Sequence, residues 1–342
     1  MPRFARSIVD SATALLVGLV CGGVLMRAFG YQPMAAYRAL VVGAFGSVPD
    51  LLETLAFATP LALTALTFSV GVRAGLFNIG AEGQVYVGAL GAAFVGGSVL
   101  LPPGAHLVAV TCAAMACGAA WALLPALLRI WRGVHEVIST IMANWIAFFL
   151  TTYVAVTFLG EPGRAERTRP VWPTARFPVL TEDASLTAVA FVALGLCLLV
   201  YTYLWGTRAG YELRLVGSNP DAARYAGVRT RRVVVASFLL GGMSAGLAGG
   251  SQVFGRPPAW SLYATLGNVA TLGFDGIGVA LVGRNHPLGG LLSAILFGAL
   301  QHGGRYMEYQ AGVVSELVRA ITGLVVVALA VPELWRLIWR RR

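Results

Sequence analysis

Apolar residues run in long, non-alternating stretches along most of the 342-residue chain, interrupted by short clusters of Gly, Pro and polar residues. Strict alternation would mark the strands of a membrane barrel; unbroken runs of about 20 apolar residues mark helices that cross a bilayer. Ten segments are predicted, near 8–28, 50–71, 76–99, 105–128, 134–158, 186–205, 233–252, 262–282, 287–303 and 312–335. Gly and polar residues inside several of them predict broken or re-entrant helices. Such breaks persist at membrane depth only where the backbone is buried in protein or lines a cavity. The expected fold is an all-α integral membrane protein of about ten transmembrane helices, one domain over 1–342.

Two of the broken regions echo each other. "AGLFNIG" (74–80) is followed by a Gly-rich run ending "VGAL" (87–90); "LGFDGIG" (272–278) is followed by one ending "FGAL" (297–300). Each places Phe, then Asn or Asp, then Gly in an interrupted apolar region. Paired interrupted segments predict two weakly repeated halves, a pattern of transporters.

Composition agrees with the pattern. Mean hydropathy is +0.75. Only 12% of residues are charged, against about 25% in soluble domains. All 25 basic residues are Arg. Without Lys there is no Walker A site and no Schiff-base chemistry. The net charge of +10 is expected to lie in loops, not to bind nucleic acid. With the N-terminus cytoplasmic and ten crossings, sixteen arginines fall inside (Arg3, Arg6, Arg73, Arg129, Arg132, the six from Arg208 to Arg232, Arg284, Arg336, Arg340, Arg341, Arg342) and eight outside. That excess satisfies the positive-inside rule, with both termini cytoplasmic in the plasma (inner) membrane. "MPRFAR" and its apolar run read as an uncleaved first span. The loop 159–185 becomes external, near neutral and irregular. The cysteines and histidines form no metal-ligand spacing.

Five motifs carry candidate chemistry. In "GLFNIGAEGQ" (75–84), Asn78, Glu82 and Gln84 either line a solute pathway or shape a gate. In "GVHEVISTIMANW" (133–145), His135 and Glu136 begin a span and Asn144 lies deeper, for interhelical packing or solute contact. In "GFDGIGVALVGRNHP" (273–287), Asp275 is a second carboxylate in an apolar segment. In "GGMSAGLAGG" (241–250), Gly242, Gly246 and Gly250 share a helix face suited to close packing. Within the cytoplasmic loop 206–232, Asn219 suits an N-cap, Pro220 the first helical position and Gly227 the C′ stop. That predicts a short helix carrying Ala222, Ala223, Tyr225 and Ala226, which docks on a cytosolic subunit.

Together, "AGLFNIGAEGQ", "HEVISTIMANWIA", "VGSNPDAARYAGV" and "GFDGIGVALVGRNHPLG" resemble the signatures of ABC-transporter permeases of the simple-sugar, nucleoside and branched-chain amino acid branch, most closely the nucleoside type. The resemblance runs in order from about residue 50 to 335; Ala143 and Trp145 depart from the pattern. It implies a homo- or heterodimer of permeases, a cytosolic ATP-binding subunit that holds ATP and Mg, and an extracytoplasmic solute-binding protein. This chain then holds no cofactor and catalyses no reaction. Asn219, Pro220, Asp221, Ala222, Ala223, Arg224 and Gly227 match the family's coupling segment.

Two other classes compete. An ion-coupled secondary transporter would use Glu82 and Asp275 as proton or sodium sites. An intramembrane enzyme would need a nucleophile–base pair or metal cluster, which the sequence does not offer.

Overall fold

Gly, Pro and polar clusters do end the apolar runs, and the runs fold as helices in the computed structural model, which describes residues 3–330. Thirteen α-helices occur among the described residues. Five are long and apolar enough to cross a membrane: α3 (Val48–Arg73), α5 (Ala105–Arg132), α6 (Glu136–Thr157), α7 (Val189–Gly206) and α10 (Thr230–Phe254). The others are α1 (Arg3–Ala28), α2 (Pro33–Phe45), α4 (Ala81–Ser98), α8 (Arg208–Ser218), α9 (Pro220–Tyr225), α11 (Leu272–Val282), α12 (Pro287–Ala311) and α13 (Ser315–Ala330). Arg336, Arg340, Arg341, Arg342 and the end of the predicted 312–335 segment lie outside the described residues, as do the side chains of Arg3 and Arg6.

Four local features depart from the sequence expectation. Helix α2, only 13 residues long, was not among the ten segments because it is too short to span. Pro33 at its start supplies the pre-set φ of a first helical turn. The segment expected at 262–282 becomes helical only at Leu272, because Trp260, Leu266 and Thr271 all take positive φ and hold the chain in turns. The 159–185 loop is not irregular throughout. Strands β1 (Gly160–Glu161) and β2 (Arg164–Thr168) pair as an antiparallel hairpin. The hairpin is tied to the 260–264 segment by Thr168 N–H donating to Leu262 O (2.9 Å) and Ala264 N–H to Glu166 O (2.8 Å). The loop after α7 holds two helices, α8 and α9, where one was expected.

The chain packs as two units. The first comprises the residues up to Phe57 and those from Ile295 onward. Its core gathers Met26, Ala36, Met307, Val313, Leu317 and Ile321. Tyr37 Oη donates to Leu19 O at 2.5 Å, joining α2 to α1. Gly43 lies so close to Tyr306 that any Cβ there would collide with the ring.

The second unit, Ala58–Ala294, is built around α4, α5 and α10. Gly246 of α10 meets the backbone of Gly88 (α4) and of Ala114 and Gly118 (α5), and Gly242 meets Gly118 and Ala119. In lipid there is no water-driven force between helices, so association depends on dispersion from such close approach. The glycine face of α10 that the sequence pointed to therefore does its packing against two helices at once. Gly249, two turns beyond Gly242, approaches the Val85 backbone. Helices α6 and α7 leave large apolar side chains exposed, including Ile138, Trp145, Phe149, Phe191 and Leu199.

Candidate functional site

Helix α3 ends at Arg73, and Gly75 (φ +72°) turns the chain back along its last turn, bringing Asn78 beside Gly71. A left-handed residue is needed here, and the Gly217 backbone of α8 leaves little room for a side chain. The chain re-enters helix only at Ala81. A broken helix leaves unpaired backbone groups, and each must find a partner when buried. Asn78 Oδ1 accepts from Gly80 N–H at 2.9 Å and from Gln84 Nε2 at 3.4 Å. Asn144 Oδ1 accepts from Gly83 N–H at 2.8 Å, and its Nδ2 donates to Ile79 O at 3.0 Å. Glu136 Oε1 accepts from Phe77 N–H at 3.2 Å, while its other oxygen pairs with Arg129. Glu136, Thr140 and Asn144 lie four apart on one face of α6, so a single helix face mends the break.

Glu82 bridges the two interrupted regions. It is 2% exposed. Oε1 accepts from Tyr86 Oη and from Thr271 N–H, both at 2.6 Å. Oε2 accepts from Gly273 N–H at 2.7 Å and Phe274 N–H at 3.3 Å. Thr271 is the N-cap residue of α11, but with φ +68° its own hydroxyl makes no cap bond. The Glu82 carboxylate takes that role from a different helix. It also sits in the first turn of α4, so one negative charge meets the positive ends of two helices. The close fit of Gly273 against the Glu82 backbone leaves no space for a Cβ.

The structure thus brings Asn78, Glu82, Gln84 and Asn144 together in buried positions. Gln84 Oε1 has no hydrogen-bond partner among the described residues. Asp275 lies in the first turn of α11, with Thr271 Oγ1 donating to its carboxylate at 3.4 Å. Sequence reasoning missed Tyr86, Thr271 and the Arg129–Glu136 pair as parts of this network. The i,i+4 spacing of Glu82 and Tyr86 was a usable signal for the first; nothing local announces Thr271. No group of three or more His, Cys, Asp or Glu residues that could hold a metal occurs among the described residues.

The expected short helix in the 206–232 loop is present as α9. Asn219 Oδ1 accepts from Asp221 and Ala222 N–H, each at 3.0 Å, and Pro220 occupies the first helical position. At the other end Gly227 has φ +79°, its N–H reaches Arg224 O and Val228 N–H reaches Ala223 O, both at 2.9 Å. That pair of bonds is the Schellman stop. Ala223 is fully buried, whereas Tyr225 is 95% exposed. Arg224 pairs with Asp221 at 3.2 Å.

A chain whose described residues hold five bilayer-length apolar helices is a multi-pass membrane protein. Residues 51–330 match the family described as "Branched-chain amino acid transport system / permease component", and the chain belongs to that family. It is 35% identical over 322 residues to the guanosine ABC transporter permease protein NupP of Bacillus subtilis, covering 93% of this chain and 91% of that one. It is 33% identical over 345 residues to the nucleoside ABC transporter permease protein NupB of Lactococcus lactis subsp. cremoris, covering 97% and 93%. It is 34% identical over 333 residues to the glucose ABC transporter permease protein TsgB13 of Haloferax volcanii, covering 94% and 87%. The resemblance read from the four sequence blocks is borne out.

Proposed function

We propose that this chain is the membrane subunit of an ATP-driven importer for nucleosides. The observation that carries the reading is end-to-end similarity to guanosine and nucleoside permeases. In this reading the chain makes ten crossings in two weakly repeated halves with both termini cytoplasmic. It pairs with a second permease, identical or related. A cytosolic ATP-binding subunit holds ATP and Mg, and an extracytoplasmic protein delivers the solute.

Movement enters through α9. The Asn219-capped helix presents the exposed Tyr225 and Arg224 to the ATP-binding subunit. Helix α8, next to it, abuts the Gly75 turn through Gly217, so displacement of this segment reaches the break directly. Asn78, Glu82, Gln84, Asn144 and Asp275 border the solute pathway. Asn78, Glu82 and Asn144 act by holding the broken helices in place, since Asn78 Oδ1, both ends of the Asn144 amide and both Glu82 oxygens already bond backbone groups.

Uptake of labelled nucleoside into vesicles containing the complete transporter tests the reading. Uptake is expected only with the ATP-binding subunit and ATP; full uptake without that subunit refutes it. Ligand identification on the cognate binding protein then separates nucleoside from sugar, a second reading favoured by the similarity to the glucose permease. An ion-coupled mechanism through Glu82 fits less well, because both carboxylate oxygens already accept hydrogen bonds within the protein. It predicts uptake that collapses with an uncoupler at constant ATP.

A further inference from the structure

The end of α7 carries a cluster that the transport mechanism does not use. The guanidinium carbons of Arg73 and Arg214 lie 5.5 and 5.6 Å from the centroid of the same indole, Trp205. The His286 ring packs on that indole at 4.6 Å. Arg73 donates to the backbone oxygens of Asn285 (2.9 Å) and Arg284 (3.2 Å), which orient it without neutralising it. Arg214 Nε is buried and has no acceptor among the described residues. Neither arginine forms an ion pair with a carboxylate among the described residues. Two positive charges therefore converge on one half-buried aromatic ring with no counter-ion among the described residues.

The surroundings point to where the counter-ion comes from. Along α7, Phe191, Leu194 and Leu198 are exposed. Their spacing puts them on one helix face with Trp205, which closes the stripe in the last turn. The fourteen helical steps from Phe191 to Trp205 rise about 21 Å, enough for an acyl chain to lie along the stripe. A Trp at a helix end marks the interface between hydrocarbon and headgroups. Basic pockets between transmembrane helices at that level suit anionic headgroups.

We propose that Arg73 and Arg214, held around Trp205, bind the phosphate of an anionic glycerophospholipid whose acyl chain lies along the exposed face of α7. The lipid is a structural ligand at the bilayer surface, separate from the carried solute. The proposal does not depend on what that solute is.

Native mass spectrometry of the purified full chain in detergent tests this with phosphatidylglycerol, phosphatidylcholine and inorganic phosphate as probes. Phosphatidylglycerol is expected to stay bound while phosphatidylcholine dissociates. Arg214→Gln removes one charge without touching the backbone bonds made by Arg73, and should weaken phosphatidylglycerol about fivefold; with Arg73→Gln added, the loss should reach roughly thirtyfold. Arg208→Gln removes an equal charge from a 93% exposed side chain nearby and should leave binding unchanged. If the double variant fails to fold, Arg214→Gln alone decides. Equal retention of the two lipids overturns the proposal. So does an Arg208→Gln loss as large as that of Arg214→Gln, or displacement of the lipid by inorganic phosphate at matching concentration.

Discussion

Gly273 N–H donates to Glu82 Oε2 at 2.7 Å across 191 residues of sequence. That bond fixes the start of α11 against the start of α4, so the two interrupted helices share one counter-charge. Glu82→Gln keeps the size of the side chain but replaces one acceptor oxygen with a donor that faces backbone N–H groups. Breaking charge-assisted bonds and leaving buried donors unpaired costs about 1.5–3 kcal/mol. The variant is expected to melt earlier in detergent and to lose nucleoside uptake. Unchanged melting would show that the carboxylate does not hold α11. With the ATP-binding subunit present, intact ATPase activity beside lost uptake would place Glu82 in the pathway, and loss of both in coupling or folding.

Much of this site was legible in the sequence, and the illegible part has a physical cause. Asn78, Glu82 and Asn144 stood out because polar residues inside apolar runs are costly and must be explained. Asn219, Pro220 and Gly227 gave both ends of α9, because capping is local chemistry. The partners of Glu82 could not be read. They are backbone N–H groups of a turn 189 to 192 residues away, and no side-chain pattern encodes which N–H groups a turn exposes. The same holds for the hairpin at 160–168. Its charged sequence reads as a solvated loop, yet its backbone pairs with residues 260–264. Helix α2, at 13 residues, is too short to read as a spanning segment.

The glycine face of α10 yields a packing prediction. A side chain at Gly246 would strike the backbone of Ala114 and Gly118, which cannot swing aside. Gly246→Val is expected to destabilise the protein by about 1–3 kcal/mol or more, read as an earlier melting transition. Gly195 in α7 has open space around its Cβ direction. Gly195→Ala should be neutral or stabilising by up to about 1 kcal/mol. Equal effects at the two positions would refute close packing at Gly246.

Caps should matter for coupling more than for global stability. Asn219→Ala removes two hydrogen bonds to the first turn of a six-residue helix at a local cost of about 1 kcal/mol. Gly227→Ala forces a Cβ into φ +79°, again about 1 kcal/mol. Helices this short have little reserve. Both variants are expected to keep the melting temperature within a few degrees while lowering transported solute per ATP hydrolysed. Normal stoichiometry in both would remove α9 from the transmission path.

The 160–168 hairpin supplies a pH prediction with a definite sign. Arg167 Nε donates to Glu161 Oε2 at 2.6 Å, and that bond, with Arg164 nearby, holds the Glu161 carboxyl below its ordinary value. A carboxylate depressed in the folded state binds fewer protons than in the unfolded state. Its contribution is therefore complete above the unfolded value of about 4.3 and is lost as pH falls through the lower folded value. Arg167 is raised by the same bond and stays charged throughout. Backbone hydrogen exchange at Arg164–Thr168, corrected for intrinsic rates, should lose protection as pH falls below about 4.3 in the native protein. Glu166, Glu182 and Asp183 are further carboxyl groups in the same region of the chain, so the test is the difference from Glu161→Gln. That variant should start less protected at pH 5 and change less on acidification, and parallel curves for the two proteins would show that Glu161 does not secure the hairpin.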